Sequence, residues 1–161
     1  MPKEWVVGWR EWLAIPALTL PVIKAKVDTG ARTSALHAFY LEPCEVDGIE
    51  RIRFGVHPLQ RRKDIIVHCE ADILDRRVVT DSGGHREMRY TIEVEIILGG
   101  ETWPVEMTLT DRDTMQFRML LGRTALRGRA LVDPARSYRT GRMKREDIVQ
   151  AYSSNGKEIS V

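Results

Sequence analysis

Residues 22–31 read VIKAKVDTGA, an apolar run that leads directly into Asp28-Thr29-Gly30-Ala31. An acid, a small hydroxyl residue and a glycine after a strand predict a tight turn that presents one carboxylate at the surface. Two such carboxylates held close together share a proton, so that one acts as a base on a water molecule while the other donates to a carbonyl. Since Asp and Gly are also ordinary turn residues, the interpretation depends on the rest of the chain.

A second element lies at Met119-Leu120-Leu121-Gly122-Arg123. Three apolar residues followed by a glycine predict a short buried strand that ends abruptly, and a helix from Arg123 to about Gly128. A glycine at such a point lets two backbones approach closely. The predicted order is therefore a strand with the Asp28 turn, further strands, and then an apolar strand ending in glycine.

A long hairpin is predicted between these two elements. Its strands are Arg76 to Thr80 and Met88 to Leu98, and its glycine-rich tip is Asp81-Ser82-Gly83-Gly84-His85. Alternation of apolar and acidic residues from Ile92 to Ile96 indicates a half-buried strand. Gly99-Gly100 is a turn signal leading into a return strand that ends at Thr110.

This order of elements resembles that of the retropepsin-like aspartic peptidases. More narrowly, GWREW at residues 8–12 and KVDTGARTSALHA at residues 26–38 resemble a bacterial family of small retropepsin-like proteins. That family was historically labelled "ATP-dependent zinc protease" and is associated with ATP-grasp peptide ligases. The resemblance covers roughly residues 6 to 132.

The resemblance implies a mainly β protein with a closed retropepsin-like barrel and one short helix after the Leu-Leu-Gly strand. It implies an aspartic endopeptidase that acts as a homodimer, with one catalytic Asp28 from each subunit and no cofactor or metal. By the same resemblance, the residues that support the active-site loop are Thr29, Gly30, Ala31, Ser34, Leu121, Gly122 and Arg123. A flap falls on Asp81, Ser82, Gly83, Gly84 and His85.

Composition indicates one ordinary soluble domain. The chain has 161 residues, 43% hydrophobic and 30% charged, with a net charge of +2. We expect a single domain over residues 1–152, with an N-terminal extension to about 21, a core over about 22–132, a basic segment over about 133–152 and a flexible tail from 153. Cys44 and Cys69 are interpreted as thiols in a reducing cytoplasm, and no apolar run is long enough for a membrane span.

Further strands and one more helix are predicted from local pattern. The strands are Val6–Trp9, Leu36–Leu41, Ile49–Val56 and Ile65–Ile73, and the helix runs from about Lys144 to Tyr152. The stretch from Leu41 to Asp75 exceeds what a minimal retropepsin-like subunit needs and predicts an added hairpin. Trp9 and Trp12 either anchor the N-terminal segment to the core, which we favour, or pack at a subunit interface.

Charge is unevenly distributed, because Asp133 is the only acid between Arg123 and Arg145, where eight Lys and Arg residues lie. This predicts a basic surface, which we interpret as a solvated face. The alternative is a surface that attracts an acidic peptide or a phosphate backbone. With the resemblance to a ligase-associated family, it suggests an acidic or glutamate-rich peptide substrate. We expect no membrane or nucleic-acid partner.

Three alternatives stay open. The chain is either a peptidase or a non-catalytic binding module that regulates a ligase system, and the old family label adds a zinc-dependent hydrolase. His37, His57, His68 and His85 show no zinc-ligand spacing, and His37 is interpreted as structural. Asp81-Ser82-Gly83 is a possible second catalytic loop, which we reject because no apolar strand follows it and too few residues separate it from Asp28.

Overall fold

The computed structural model describes residues 5–81, 83–111, 116–154 and 158–159. The strands are β1 (Trp5–Gly8), β2 (Arg10–Ile15), β3 (Leu20–Asp28), β4 (Ser34–His37), β5 (Tyr40–Val46), β6 (Ile49–Val56), β7 (Ile65–Asp72), β8 (Asp75–Thr80), β9 (Arg86–Leu98), β10 (Glu101–Thr110), β11 (Met119–Gly122), β12 (Ala130–Asp133) and β13 (Glu158–Ile159). The α-helices are α1 (Arg123–Leu126) and α2 (Arg145–Ser154), and Pro16–Leu18 form a 3-10 turn.

Six strands close into a barrel. Around the ring the order is β10, β4, β11, β3, β2 and β9, and β9 pairs again with β10. Strand β8 continues outward from β9 as the second arm of a hairpin. The mainly β fold with a closed retropepsin-like barrel and a short helix after the Leu-Leu-Gly strand is therefore confirmed.

The barrel core follows from strand alternation. On β9, Ile92, Val94 and Ile96 are buried while the two glutamates between them are exposed. Alternate side chains of a strand point to opposite faces, so one face fills the barrel and the other meets solvent. The predicted turn at Gly99-Gly100 joins β9 to β10, and both glycines have positive φ, as a tight hairpin requires.

The stretch from 41 to 75 forms a separate sheet of β5, β6 and β7, with β13 added at its edge. The predicted added hairpin is thus a three-stranded meander. The predicted strand from Leu36 to Leu41 is interrupted after His37, and Tyr40 begins a new strand that pairs with β6. Helix α2 extends to Ser154, and Glu158–Ile159 pair with β7, in the region for which a flexible tail was predicted.

Strand β2 was not predicted, and it forms part of the barrel wall, between β3 and β9. The barrel therefore begins well before residue 22, where the core was expected to start. Trp12 of β2 packs on the core and stacks on Tyr138 at 5.8 Å between ring centroids. Trp9 meets the edge of Phe117 at 5.9 Å, so both rings contact their own chain, as the anchoring interpretation expected.

The basic stretch after Arg123 is only partly a solvated face. Arg129 lies over the Trp103 ring at 4.8 Å and Arg142 over the Tyr138 ring at 5.6 Å. These guanidinium groups therefore pack on aromatic side chains of the same domain, a favourable cation–π arrangement. No helix within the described ranges is long and apolar enough to cross a membrane.

Glu11 joins the N-terminal strands to residues 139 and 140. Its side chain is completely buried. Oε2 accepts hydrogen bonds from the backbone N–H groups of Gly8 (2.6 Å) and Arg139 (2.9 Å), and Oε1 accepts from the N–H (3.1 Å) and hydroxyl (2.7 Å) of Thr140. A buried carboxylate is tolerated only when it is hydrogen-bonded in this way.

We expect Glu11→Ala to lower the free energy of unfolding by about 3–5 kcal/mol, because it leaves buried N–H donors without an acceptor. Glu11→Gln should cost less, since it keeps the shape and one acceptor oxygen. Urea unfolding followed by circular dichroism measures both variants. Glu95→Ala, an exposed glutamate on β9, is the control and should change stability by less than about 0.5 kcal/mol. Equal stability of Glu11→Ala and Glu95→Ala would contradict this role.

Candidate active site

Asp28 is the last residue of β3, and the chain turns immediately after it. Its Oδ1 accepts a hydrogen bond from the N–H of Gly30 at 3.0 Å, and its carbonyl accepts from the N–H of Ala31 at 3.2 Å. Asp28 is half-buried, whereas Thr29 and Gly30 are exposed. The turn therefore presents a carboxylate held by its own loop at the molecular surface.

Gly122 lies directly opposite Asp28, because β11 runs parallel to β3 in this register. A Cβ on Gly122 would stand 2.6 Å from the carbonyl carbon of Thr33, so only glycine fits. The N–H of Gly122 donates to the Oγ of Ser34 at 3.0 Å, and Ser34 is completely buried. Leu121, one residue earlier, is buried in the barrel. The strand end and the loop are thus in direct contact.

The start of α1 holds the other side of the loop. The N–H of Arg123 donates to the carbonyl of Ala31 at 2.8 Å, and one guanidinium nitrogen donates to the carbonyls of Thr29 and Gly30, both at 3.3 Å. The N–H and hydroxyl of Thr124 both donate to the carbonyl of Arg32, at 3.1 and 2.8 Å. Four consecutive loop carbonyls are thereby occupied.

The β8–β9 hairpin ends in a tip that is folded on itself. Oδ1 of Asp81 accepts from the N–H groups of Gly83 and His85, both at 2.9 Å, and the carbonyl of Asp81 accepts from the N–H of Gly84. Gly84 has a φ of +83°, a conformation that glycine adopts without strain. Ser82, also assigned to the flap, lies outside the described residues. The Asp81 carboxylate is thus a turn acceptor.

Arg77 fixes the base of this hairpin. It donates to Asp75 on its own strand at 2.6 Å and to Glu106 on β10 at 2.8 Å. Hydrogen bonds to the two carboxylates raise the pKa of Arg77, and the bond from Arg77 lowers the pKa of Asp75. The base of the hairpin is therefore tied to the barrel, while the tip contacts given above are internal to the hairpin.

Comparison with known proteins places this geometry in a family. The model of the RimB-like family, described as retropepsin-like aspartic endopeptidase RimB, matches residues 6–143. The chain belongs to the RimB-like family.

The chain is also similar to several relatives and to one solved structure. The chain is 44% identical over 153 residues to a probable alpha-L-glutamate ligase of Parasynechococcus marenigrum and 45% identical over 150 residues to one of Shewanella halifaxensis. These matches cover 95% and 93% of this chain and 33% of each relative, so the chain spans about a third of their length. The Legionella pneumophila protein Lpg0085, of unknown function, superimposes with a TM-score of 0.70 at 26% identity, covering 84% of this chain and 98% of that one.

The structure of this RimB-like chain brings together the loop residues that were singled out from the sequence. Asp28, Ala31, Ser34, Gly122 and Arg123 meet around one turn through the contacts given above. Thr124 was missed, although a hydroxyl two residues after the strand-ending glycine is well placed to reach a neighbouring carbonyl. Among the described residues, no three His, Cys, Asp or Glu side chains are grouped as a metal site.

We expect Gly122→Ala to destabilise the protein by about 2–4 kcal/mol and to displace the Asp28 loop, because the added methyl group overlaps the backbone at Thr33. Thermal unfolding measures the loss. Ser34→Ala should show a smaller loss of about 1–3 kcal/mol, since it removes only the acceptor for the Gly122 N–H. A Gly122→Ala protein with unchanged melting temperature would show that the two backbones have room to separate.

Proposed function

We propose that the protein is an aspartic endopeptidase that acts as a homodimer. The observation that carries the proposal is the Asp28 loop at the end of a barrel strand: it presents a half-buried carboxylate, and its backbone is held by the strand end at Gly122 and by Arg123. Family membership supports the reaction class. Each subunit contributes one Asp28, and twofold symmetry supplies the second carboxylate.

The proposed mechanism needs only this pair and a water molecule between them. The ionised carboxylate takes a proton from the water molecule while the water oxygen attacks the peptide carbonyl carbon. The protonated carboxyl group of the other Asp28 donates its proton to the carbonyl oxygen. The tetrahedral intermediate then collapses, the C–N bond breaks, and a proton passes to the leaving nitrogen. The fixed loop geometry serves this step, because reacting groups must be held within a fraction of an ångström.

The exposed edge of the loop supports the dimer. Thr29 and Gly30 are exposed in the single subunit, where the matching loop of a second subunit would meet them. We assign to the Thr29 hydroxyl a hydrogen bond across the twofold axis that keeps the two carboxylates coplanar. Arg123 supports Thr29 from behind, because its guanidinium donates to the backbone carbonyls of Thr29 and Gly30.

The β8–β9 hairpin is proposed as the flap that covers the substrate. Val78 and Met88 face each other across the hairpin, and their side chains are 56% and 50% exposed. Exposed apolar pairs of this kind suit a lid that becomes buried when it closes over a ligand and excludes water. His85, also at the tip, is 72% exposed and lies at the surface of the proposed lid.

The names of the relatives suggest a partner system. Because this chain matches about a third of proteins named probable alpha-L-glutamate ligase, we propose that it works with an ATP-grasp ligase that adds glutamate. A glutamate-rich peptide is then the proposed substrate class.

We expect Asp28→Asn to reduce cleavage of glutamate-rich peptides by about 10³-fold or more, because no carboxylate then activates water. The matched variant Asp81→Asn should retain most activity, since an amide oxygen still accepts the two N–H bonds of the hairpin tip. A peptide cleavage assay followed by mass spectrometry measures both. Full activity in Asp28→Asn would contradict the proposal.

The dimer predicts a concentration and pH dependence. Activity should fall on dilution below the dimer dissociation constant, and sedimentation over the same series should show monomer appearing in step. The pH profile of the dimer should be bell-shaped, because one carboxylate of the pair must be protonated and the other ionised. A fully active monomer would place the second carboxylate within this chain.

A further inference from the structure

A basic groove runs along the outward face of β3. Its volume is about 940 Å³, at the upper end of the range for ligand sites. Its lining includes Lys24 and Lys26 of β3, the loop around Arg61, residues 116–118 before β11, and the first turns of α2. Seven of the lining residues are Lys or Arg, and among the described residues that line it there is no Asp or Glu.

Among the described residues, most of this positive charge has no acidic partner. In the described part of the chain, Arg62 pairs with Asp64, with Nε donating to Oδ1 at 2.7 Å, whereas Lys26, Arg61, Arg118 and Arg145 form no ion pair. Cations that line a concave surface without counter-charges focus the field and attract anions. The groove therefore suits a ligand that carries several negative charges.

Arg118 shows most directly that an acceptor is needed. Its Nε is buried and has no hydrogen-bond partner among the described residues, although buried donors are nearly always satisfied. Burial of the ring is the main cause of the lowered pKa of His57, and the positive charge of Arg118 lowers this pKa further. A ligand carboxylate in the groove would balance the charge of this guanidinium.

The groove adjoins the proposed catalytic loop. Lys24, Lys26 and Asp28 alternate with buried residues and so lie on one face of β3. Two residues of a strand span about 6.6 Å, which places Lys26 one side-chain position before Asp28. Arg118 immediately precedes Met119, which lies opposite Ala25, so Arg118 is level with Lys24 and lies further from Asp28 than Lys26 does. Lys24 Nζ donates a hydrogen bond to Gln60 Oε1 at 2.9 Å. This bond holds the loop around Arg61 beside β3, further from Asp28 than Lys26.

The aromatic residues that line the groove, Trp9 and Trp12, indicate whether its ligand is a peptide or a nucleic acid. Trp12 is stacked on Tyr138 and has Lys24 over its ring at 5.3 Å, while Arg10 lies over the Trp9 ring at 4.6 Å. Proteins that bind single-stranded nucleic acid offer ring faces on which bases stack. Since these faces are already engaged, the groove favours carboxylate side chains.

We propose that this groove binds the acidic residues of the substrate, with Lys26 contacting the carboxylate nearest the scissile bond and Arg118, Arg61 and Arg145 contacting those further away. The proposal rests on the proposed function. In a twofold dimer each subunit contributes one groove, so the preferred substrate carries acidic residues on both sides of the cleaved bond.

Binding is tested separately from cleavage by using the Asp28→Asn protein, in which turnover is blocked. Fluorescence anisotropy measures the affinity of a labelled decaglutamate peptide at fixed salt. We expect Lys26→Ala and Arg118→Ala, each added to Asp28→Asn, to weaken affinity about tenfold, the size of one lost charge-assisted contact. Arg53→Ala removes the same charge from an exposed position on β6 and should change affinity less than twofold.

Arg118→Lys provides a second variant if Arg118→Ala does not fold. It keeps the charge but loses the planar fork, and should weaken affinity threefold to fivefold. In the otherwise wild-type enzyme, the groove variants should raise KM for the peptide with little change in kcat.

Two outcomes overturn the groove proposal. Affinity that is unchanged in Lys26→Ala and Arg118→Ala would remove the groove from substrate binding while leaving the Asp28 chemistry intact. Tighter binding of a labelled decauridylate RNA than of decaglutamate, lost in the same variants, would assign the groove to nucleic acid. Failure of the proposed function is distinct, because it shows as absent cleavage by a protein that still binds the peptide.

Discussion

The close approach of two backbones at Gly122 is the constraint on which the geometry of the candidate active site depends. Strand β11 can lie beside β3 and against Thr33–Ser34 only because residue 122 has no Cβ. That contact brings the Ser34 hydroxyl to the Gly122 N–H and the start of α1 to the loop carbonyls. The closed barrel supplies the rigidity, since each of the two strands that carry the site is paired on both sides. The Asp28 carboxylate is therefore positioned by the barrel rather than by its loop alone.

Much of the barrel and of the candidate site could be predicted from the sequence, because the signals lie in short stretches of neighbouring residues. The Asp28 turn, the glycine ending β11, the β8–β9 hairpin and the Gly99-Gly100 turn each combine a periodic apolar pattern with a residue that the backbone requires. Strands β2, β5, β12 and β13 were missed. Strand β2 begins with the charged residues Arg10 and Glu11, and its role depends on pairing with β3 and β9, which local pattern does not reveal.

The role of Glu11 and the basic groove could not be predicted for a related reason. Glu11 accepts bonds from residues more than a hundred positions away, and a glutamate in an amphipathic strand ordinarily predicts solvent exposure. The groove collects cations from β2, β3, the loop after β6, the approach to β11, and α2. The sequence indicated the basic C-terminal stretch, but of its eight Lys and Arg residues between 123 and 145 only Arg145 lines the groove. The other cations of the groove come from scattered positions.

The central claim is that one active site is shared by two identical subunits. Its most direct test is to mix wild-type and Asp28→Asn subunits in varying ratios, allow them to exchange, and measure peptide cleavage at constant total protein. If each site needs an ionisable Asp28 from both subunits, mixed dimers are inactive and activity falls as the square of the wild-type fraction. Activity that falls in direct proportion to the wild-type fraction would show that each subunit carries a complete site and would contradict the account.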